Sequence, residues 1–306
     1  MINKNDLTKG IYEALDVNSL NLPKDKFFYR SKSKNSIGFK IDLAKPVSDF
    51  FYNAFDLENP DVFEKKLEQS ISGDGGELSK NNALHSSSLC SLLLFYNVSE
   101  NNPFYVTFKD GTIHTYTKVY FEIKNKVIRN PSNMDVVLVN EKTKEILFIE
   151  CKFSEYLAHS NNYKLKKSYV DKYGDYFDAI NFKEMKVFPE GIKQLIAHYI
   201  GIKNFKECNY KKGTLKGFYD DGDPRREIYN KQYANIAFME VIFKLPYQEF
   251  EEYKDETEKV FKYLDSKNEI TILGTKTYQE LFVGDNANIL SPLVASYYNL
   301  AKQPND

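Results

Sequence analysis

The chain has no tryptophan, three cysteines and four histidines in 306 residues. Cys90, Cys151 and Cys208 are odd in number and lack the paired spacing of a zinc site, which excludes a disulfide scaffold and favours a reducing compartment. Acids and bases nearly cancel at a net charge of −1, so any surface for a polyanion has to be local. No apolar run approaches the ~18 residues of a membrane span, and the opening MINKNDLTKG has no signal-peptide core. The expectation is a cytoplasmic protein with no membrane contact. Internal repeats and low-complexity linkers are also missing, which argues for one decorated domain over 1–306.

What is abundant is apolar sequence broken by isolated charges. Residues 134–153, MDVVLVNEKTKEILFIECKF, hold two runs rich in β-branched residues around the connector Glu141–Lys144. They read as a hairpin of interior strands, because both faces of each run are apolar. Asp135, Glu150 and Lys152 interrupt them. Glu150 and Lys152 are two residues apart and share a strand face. A register that pairs Asn140 with Glu145 sets Asp135 opposite Glu150, with Cβ atoms roughly 4.5–5.5 Å apart. Carboxylates that close repel unless a proton or a cation joins them. A hard divalent ion such as Mg²⁺, with Mn²⁺ as a substitute, suits oxygen donors of this kind. An ammonium at Lys152 can orient a water or offset charge on a phosphate.

An Asp followed by Glu-x-Lys on the next strand resembles the PD-(D/E)xK nuclease superfamily, the restriction endonuclease-like proteins. The proline usual before the Asp is displaced to Pro131, and Met134 fills its slot. The resemblance implies an α/β fold with an α-β-β-β-α-β core and a mixed central sheet flanked by helices. It implies that Asp135 and Glu150 bind the metal, that the carbonyl of Cys151 is a further ligand, and that Lys152 acts at the attacking water. DNA is then the substrate and partner. A homodimer also follows from the resemblance, since many relatives cut two strands as dimers.

The remaining segments fit around that hairpin. Pro60 opens a helix with Val62, Phe63 and Leu67 on one face. The loop SGDGGELSKNN follows, and its Gly73-x-x-x-Glu77 spacing resembles the superfamily's first acidic motif. Ala83–Val98 is an apolar helix whose serines, Ser86–Ser88, read as packing or capping residues. Lys118–Ile123 reads as the first sheet strand, and Glu122 interrupts it as the other acids interrupt theirs. A half-buried carboxylate needs a partner, so Glu77 and Glu122 compete for the role of third acid. Pro189–Ile200 is a second good helix, in which Gln194 resembles the Gln-x-x-x-Tyr motif of RecB-like exonucleases; His198 stands in the tyrosine's slot.

Asn235–Leu245 reads as the fourth core strand, and 247–265 as an acidic amphipathic helix with Phe250, Tyr253, Val260, Phe261 and Leu264 inward. Basic segments interleaved with aromatics offer contacts to a nucleic-acid backbone: 24–40, then Lys164, Lys166 and Lys167, then the insertion 203–233 with Arg225 and Arg226. The core spans about 60–245, with an N-terminal elaboration over 1–59 and a helical C-terminal one over 246–306. Three functional readings stay open. The first is a Mg²⁺-dependent endodeoxyribonuclease resembling a type II restriction enzyme. The second is a RecB-like repair nuclease acting on ends or junctions. The third is a nucleic-acid-binding module that keeps the fold without cutting.

Overall fold

A computed structural model of the chain describes residues 9–11, 13–20, 22–23, 26–29, 37–41, 45–72, 83–128, 131–157, 167–178, 180, 189–207 and 217–300. Its strands are β1 (Phe27–Tyr29), β2 (Ile37–Phe39), β3 (Phe104–Thr107), β4 (Ile113–Tyr116), β5 (Lys118–Lys126), β6 (Pro131–Asn140), β7 (Glu145–Lys152), β8 (Asn235–Ile242) and β9 (Thr271–Thr277). Its helices are α1 (Val47–Phe55), α2 (Pro60–Ser70), α3 (Ser87–Phe95), α4 (Lys167–Asp178), α5 (Pro189–Lys206), α6 (Gln248–Asp265), α7 (Tyr278–Leu281) and α8 (Pro292–Tyr297).

The sheet is organised on the β6–β7 hairpin. Both strands are apolar on both faces, so they can lie only in the interior, and every residue of β7 is buried. The register runs from Asn140↔Glu145 to Val136↔Ile149, as the polar connector requires. The sheet order is β5-β6-β7-β8-β9. The first three strands are antiparallel, and β8 and β9 continue parallel to β7. A parallel neighbour needs a crossover, and the segment carrying α4 and α5 supplies it. The chain is therefore α/β, with a mixed five-stranded sheet flanked by helices.

Alternation along β7 sorts the layers. Glu150 and Lys152 face α5, whereas the Cys151 thiol between them lies near Cys90 of α3 on the other face. Helix α6 packs on β9 with Phe250, Tyr253, Val260, Phe261 and Leu264 all buried. With no tryptophan available, phenylalanine and tyrosine fill the large core positions. Phe39, Phe51, Phe55 and Tyr297 join the two ends of the described chain, with the Phe55 and Tyr297 rings 5.2 Å apart and edge-on.

Three expectations change. The C-terminal elaboration is not wholly helical, because Thr271–Thr277 extends the sheet. Val62 is 41% exposed while Phe63 and Leu67 are buried, so the inward face of α2 is narrower than its apolar residues suggest. Helix α3 begins at Ser87 rather than Ala83, because the Ser86 side chain accepts a hydrogen bond from the Leu89 N–H and caps it. Among the described residues no helix is long and apolar enough to cross a membrane.

Helix α5 rides directly on the sheet. A Cβ at Gly201 would stand 2.7 Å from Ser132 Oγ and 2.9 Å from Asn125 Cβ, so only glycine permits this approach. Gly201→Val should destabilise the protein by roughly 1–3 kcal/mol through overpacking. Urea denaturation checks this; an unchanged midpoint would mean that α5 is not held so closely.

Candidate active site

The site begins where the sheet stops being regular. On β5, Glu122 adopts the left-handed φ of +55°, which is uncommon for any residue but glycine. The β5–β6 ladder pairs Phe121↔Val136 and Ile123↔Met134 and omits the position between them, where Glu122 falls opposite Asp135. Side chains brace this kink. The Phe121 N–H donates to Gln69 Oε1 (3.2 Å), and the Tyr219 hydroxyl donates to the Glu122 carbonyl (3.1 Å) while accepting from the Lys124 N–H (2.6 Å).

The β6–β7 ladder stops one step short of Asp135. Asp135 completes it with its side chain, Oδ2 accepting from the Cys151 N–H at 2.7 Å. On the far side of β7, Glu150 pairs in register with Glu240, and Glu240 with Thr275. Glu122, Asp135, Glu150 and Glu240 thus form one row of carboxylates across four strands.

The groups that face Glu150 in this row come from β7 and α5. Lys152 Nζ donates to Glu150 Oε1 and, at 3.0 Å, to Gln194 Oε1. His198 Nε2 lies 2.9 Å from Glu150 Oε2. That contact is close but poorly aligned, so neither the oxygen nor the buried imidazole has a well-directed hydrogen bond.

The protonation balance follows from this geometry. Burial would lift Glu150, but the Lys152 ammonium and His198 overcome it and hold its carboxyl down at about 2. Asp135 goes the other way: burial first, then repulsion from Glu150, push it well above the usual carboxylate range. Burial would lower Lys152, but Glu150 and Asp135 keep it firmly protonated. Glu240 is raised by burial to about 7, although the Tyr253 hydroxyl donates to Oε1 (2.6 Å) and Thr275 Oγ1 donates to Oε2 (3.3 Å).

Asp135, Glu122, Lys152, Gln194 and His198 line a cleft of about 860 Å³ between α5 and the start of α3, where Ser87 and Ser88 form the opposite wall. Two adjacent carboxylates share one lysine here, and Glu150 Oε2 lacks an aligned donor. That donor set fits a hard divalent cation that keeps several waters. Among the described residues no three His, Cys, Asp or Glu side chains converge as a ready-made metal cluster, so substrate and water oxygens would have to complete the coordination.

The structure brings Asp135, Glu122, Glu150, Lys152 and Gln194 to this one place. Glu77, with its glycine loop, and Lys164 and Lys166 lie outside the described residues. Lys167 is exposed on α4, paired with Asp171 (2.8 Å), and is not among the residues that line the cleft. Arg225 is not a surface contact. It is buried, chelates Asp223, and donates to Ser72 Oγ and to the Phe121 carbonyl beside the kink. Arg226 is held by Asp221 and the Asp220 carbonyl. The acids of the same insertion have absorbed both arginines. Sequence reading passed over His198 and Glu240 as site residues. Both carried signals: His198 is four residues from Gln194 on one helix face, and Glu240 interrupts an apolar strand as Asp135 does.

No protein-family model matches the chain, and neither does any curated protein or solved structure.

Glu240 gives a pH signature. A carboxyl whose folded value lies above its unfolded one of about 4.3 costs no stability below that pH, and the cost grows as pH rises through 7. Glu240→Gln should therefore gain stability over the wild type by on the order of 3 kcal/mol at pH 8, and little at pH 4.5. Urea titrations at the two pH values measure this, and a difference independent of pH would contradict it.

Proposed function

We propose that the chain is a divalent-metal-dependent endodeoxyribonuclease of the PD-(D/E)xK kind. The observation that carries this reading is the meeting of Asp135, Glu150 and Lys152 on adjacent strands, with Asp135 and Lys152 in the wall of an open polar cleft and Glu150 buried directly beneath Lys152. The order α3, β5, β6, β7, α5, β8, with β8 parallel to β7, supports a restriction endonuclease-like core. DNA is the partner in this reading, and the cytoplasm is its compartment.

In the proposed mechanism Asp135 and Glu150, with the Cys151 carbonyl, would hold Mg²⁺ or Mn²⁺. Bound there, such an ion would supply Lewis-acid polarisation of the scissile phosphate. Lys152 turns its ammonium from Glu150 to the attacking water and offsets charge that builds on the phosphate. Gln194 keeps Lys152 aligned through its 3.0 Å hydrogen bond, and His198 stands beside Glu150 on the cleft side. Glu122 is the third acid, presented by the kink in β5.

The contact of Gln194 with Lys152 favours a second reading, a RecB-like nuclease acting on DNA ends. Incubation of supercoiled and linear plasmid with Mg²⁺, Mn²⁺ or EDTA separates the two. An endonuclease nicks or linearises the circle in the presence of metal; an end-dependent enzyme degrades only the linear form. Asp135→Asn and Lys152→Ala should each lower the rate by about a hundredfold or more. DNA binding without cleavage by the wild type would instead indicate a non-catalytic module, and cleavage insensitive to both substitutions would refute the site.

A further inference from the structure

A second cavity, of about 700 Å³, lies between α2 and β5 and shares no lining residue with the cleft. Val62, Val98, Val119, the Tyr120 ring and Pro224 form its apolar wall, and the acids Glu68, Glu100, Asp223 and Glu227 also border it. A volume of this size with mostly apolar walls suits a small organic molecule.

The cavity also holds one misplaced charge. Lys66 reaches into it from α2, with Nζ donating to the Val119 carbonyl (2.5 Å) and standing 5.2 Å from the centre of the Tyr120 ring. Among the described residues no carboxylate lies within 4.0 Å of this ammonium. Glu227 acts on it from farther off, but its oxygens serve the Tyr120 hydroxyl and Lys231. Burial lowers Lys66 to about 8, with Glu227 opposing that shift. Of the other bases at the wall, Arg225 chelates Asp223, Lys118 pairs with Glu141, and Lys65 is exposed to solvent. Drawing the Lys66 ammonium against an apolar wall with no described carboxylate in direct contact costs stability, because the acids that border the cavity stand too far off or are bonded elsewhere. A ligand that brings its own negative charge would remove that cost.

We propose that this cavity binds a small amphipathic anion, an apolar body with one carboxylate or similar acidic head, whose head pairs with Lys66 and whose body lies against Val62, Val98 and Tyr120. The assignment is independent of the nuclease reading.

The probe that tests it is 8-anilinonaphthalene-1-sulfonate, an aryl body with one acidic group, titrated by fluorescence, with decanoate as competitor. One probe should bind per chain and be displaced by decanoate. Lys66→Met should weaken binding by tenfold or more, and Lys66→Arg should retain most of it. Val62→Trp, which places bulk at an exposed position of the wall, should block the site without touching the core. Thermal unfolding of each variant verifies that the fold is kept. No saturable binding at millimolar probe, or binding equal in wild type, Lys66→Met and Val62→Trp, would overturn the proposal.

Discussion

The ion pair between Lys152 and Glu150 is the interaction on which the site depends. Four strands each bring a carboxylate to one level of the sheet, and burial there makes every unpaired negative charge expensive. The Lys152 ammonium is bonded within this row to Glu150, and it anchors the ionised end. Its presence lets Glu150 stay charged while Asp135 and Glu240 are driven toward their protonated forms. Removing one partner of a buried pair typically costs about 3–5 kcal/mol, because the other is left uncompensated. The surrounding residues fit this constraint: Gln194 takes the second Lys152 hydrogen bond, and Tyr253 and Thr275 satisfy Glu240.

The scaffold keeps this cluster from relaxing. Gly201 seats α5 on Asn125 and Ser132, which fixes how far Gln194 and His198 project over β7. Gln69, Tyr219 and Arg225 grip the backbone on both sides of Glu122 and hold a conformation that the strand would otherwise avoid. These braces come from α2 and from the insertion before β8, both far from the hairpin in sequence. The basic insertion, which composition suggests as a surface for phosphates, spends its arginines on this task.

Much of this was legible from local pattern. Period and residue type identified the hairpin, and the connector set its register, because interior strands tolerate no slip that would exchange their faces. The lone charges in apolar runs pointed to Asp135, Glu150, Lys152 and Glu122. The rest depended on contacts that periodicity does not encode. Whether Arg225 met solvent or Asp223 turned on how the insertion folds back. The edge strand β9 carries Gly274, Thr275 and Lys276 after only two apolar residues, so its pattern is weak beside that of β6. Glu240 was passed over because its significance comes from the parallel register with β7, which only the crossover establishes.

The central claim is that Asp135 and Glu150 together require a cation. Electron paramagnetic resonance of Mn²⁺, titrated with the wild type, Asp135→Asn and Lys152→Met, measures this without reference to cleavage. The account predicts one Mn²⁺ site per chain, weakened tenfold or more by Asp135→Asn and retained or strengthened by Lys152→Met, which removes the competing ammonium. Absence of Mn²⁺ binding to the wild type, or binding that ignores Asp135, would contradict it.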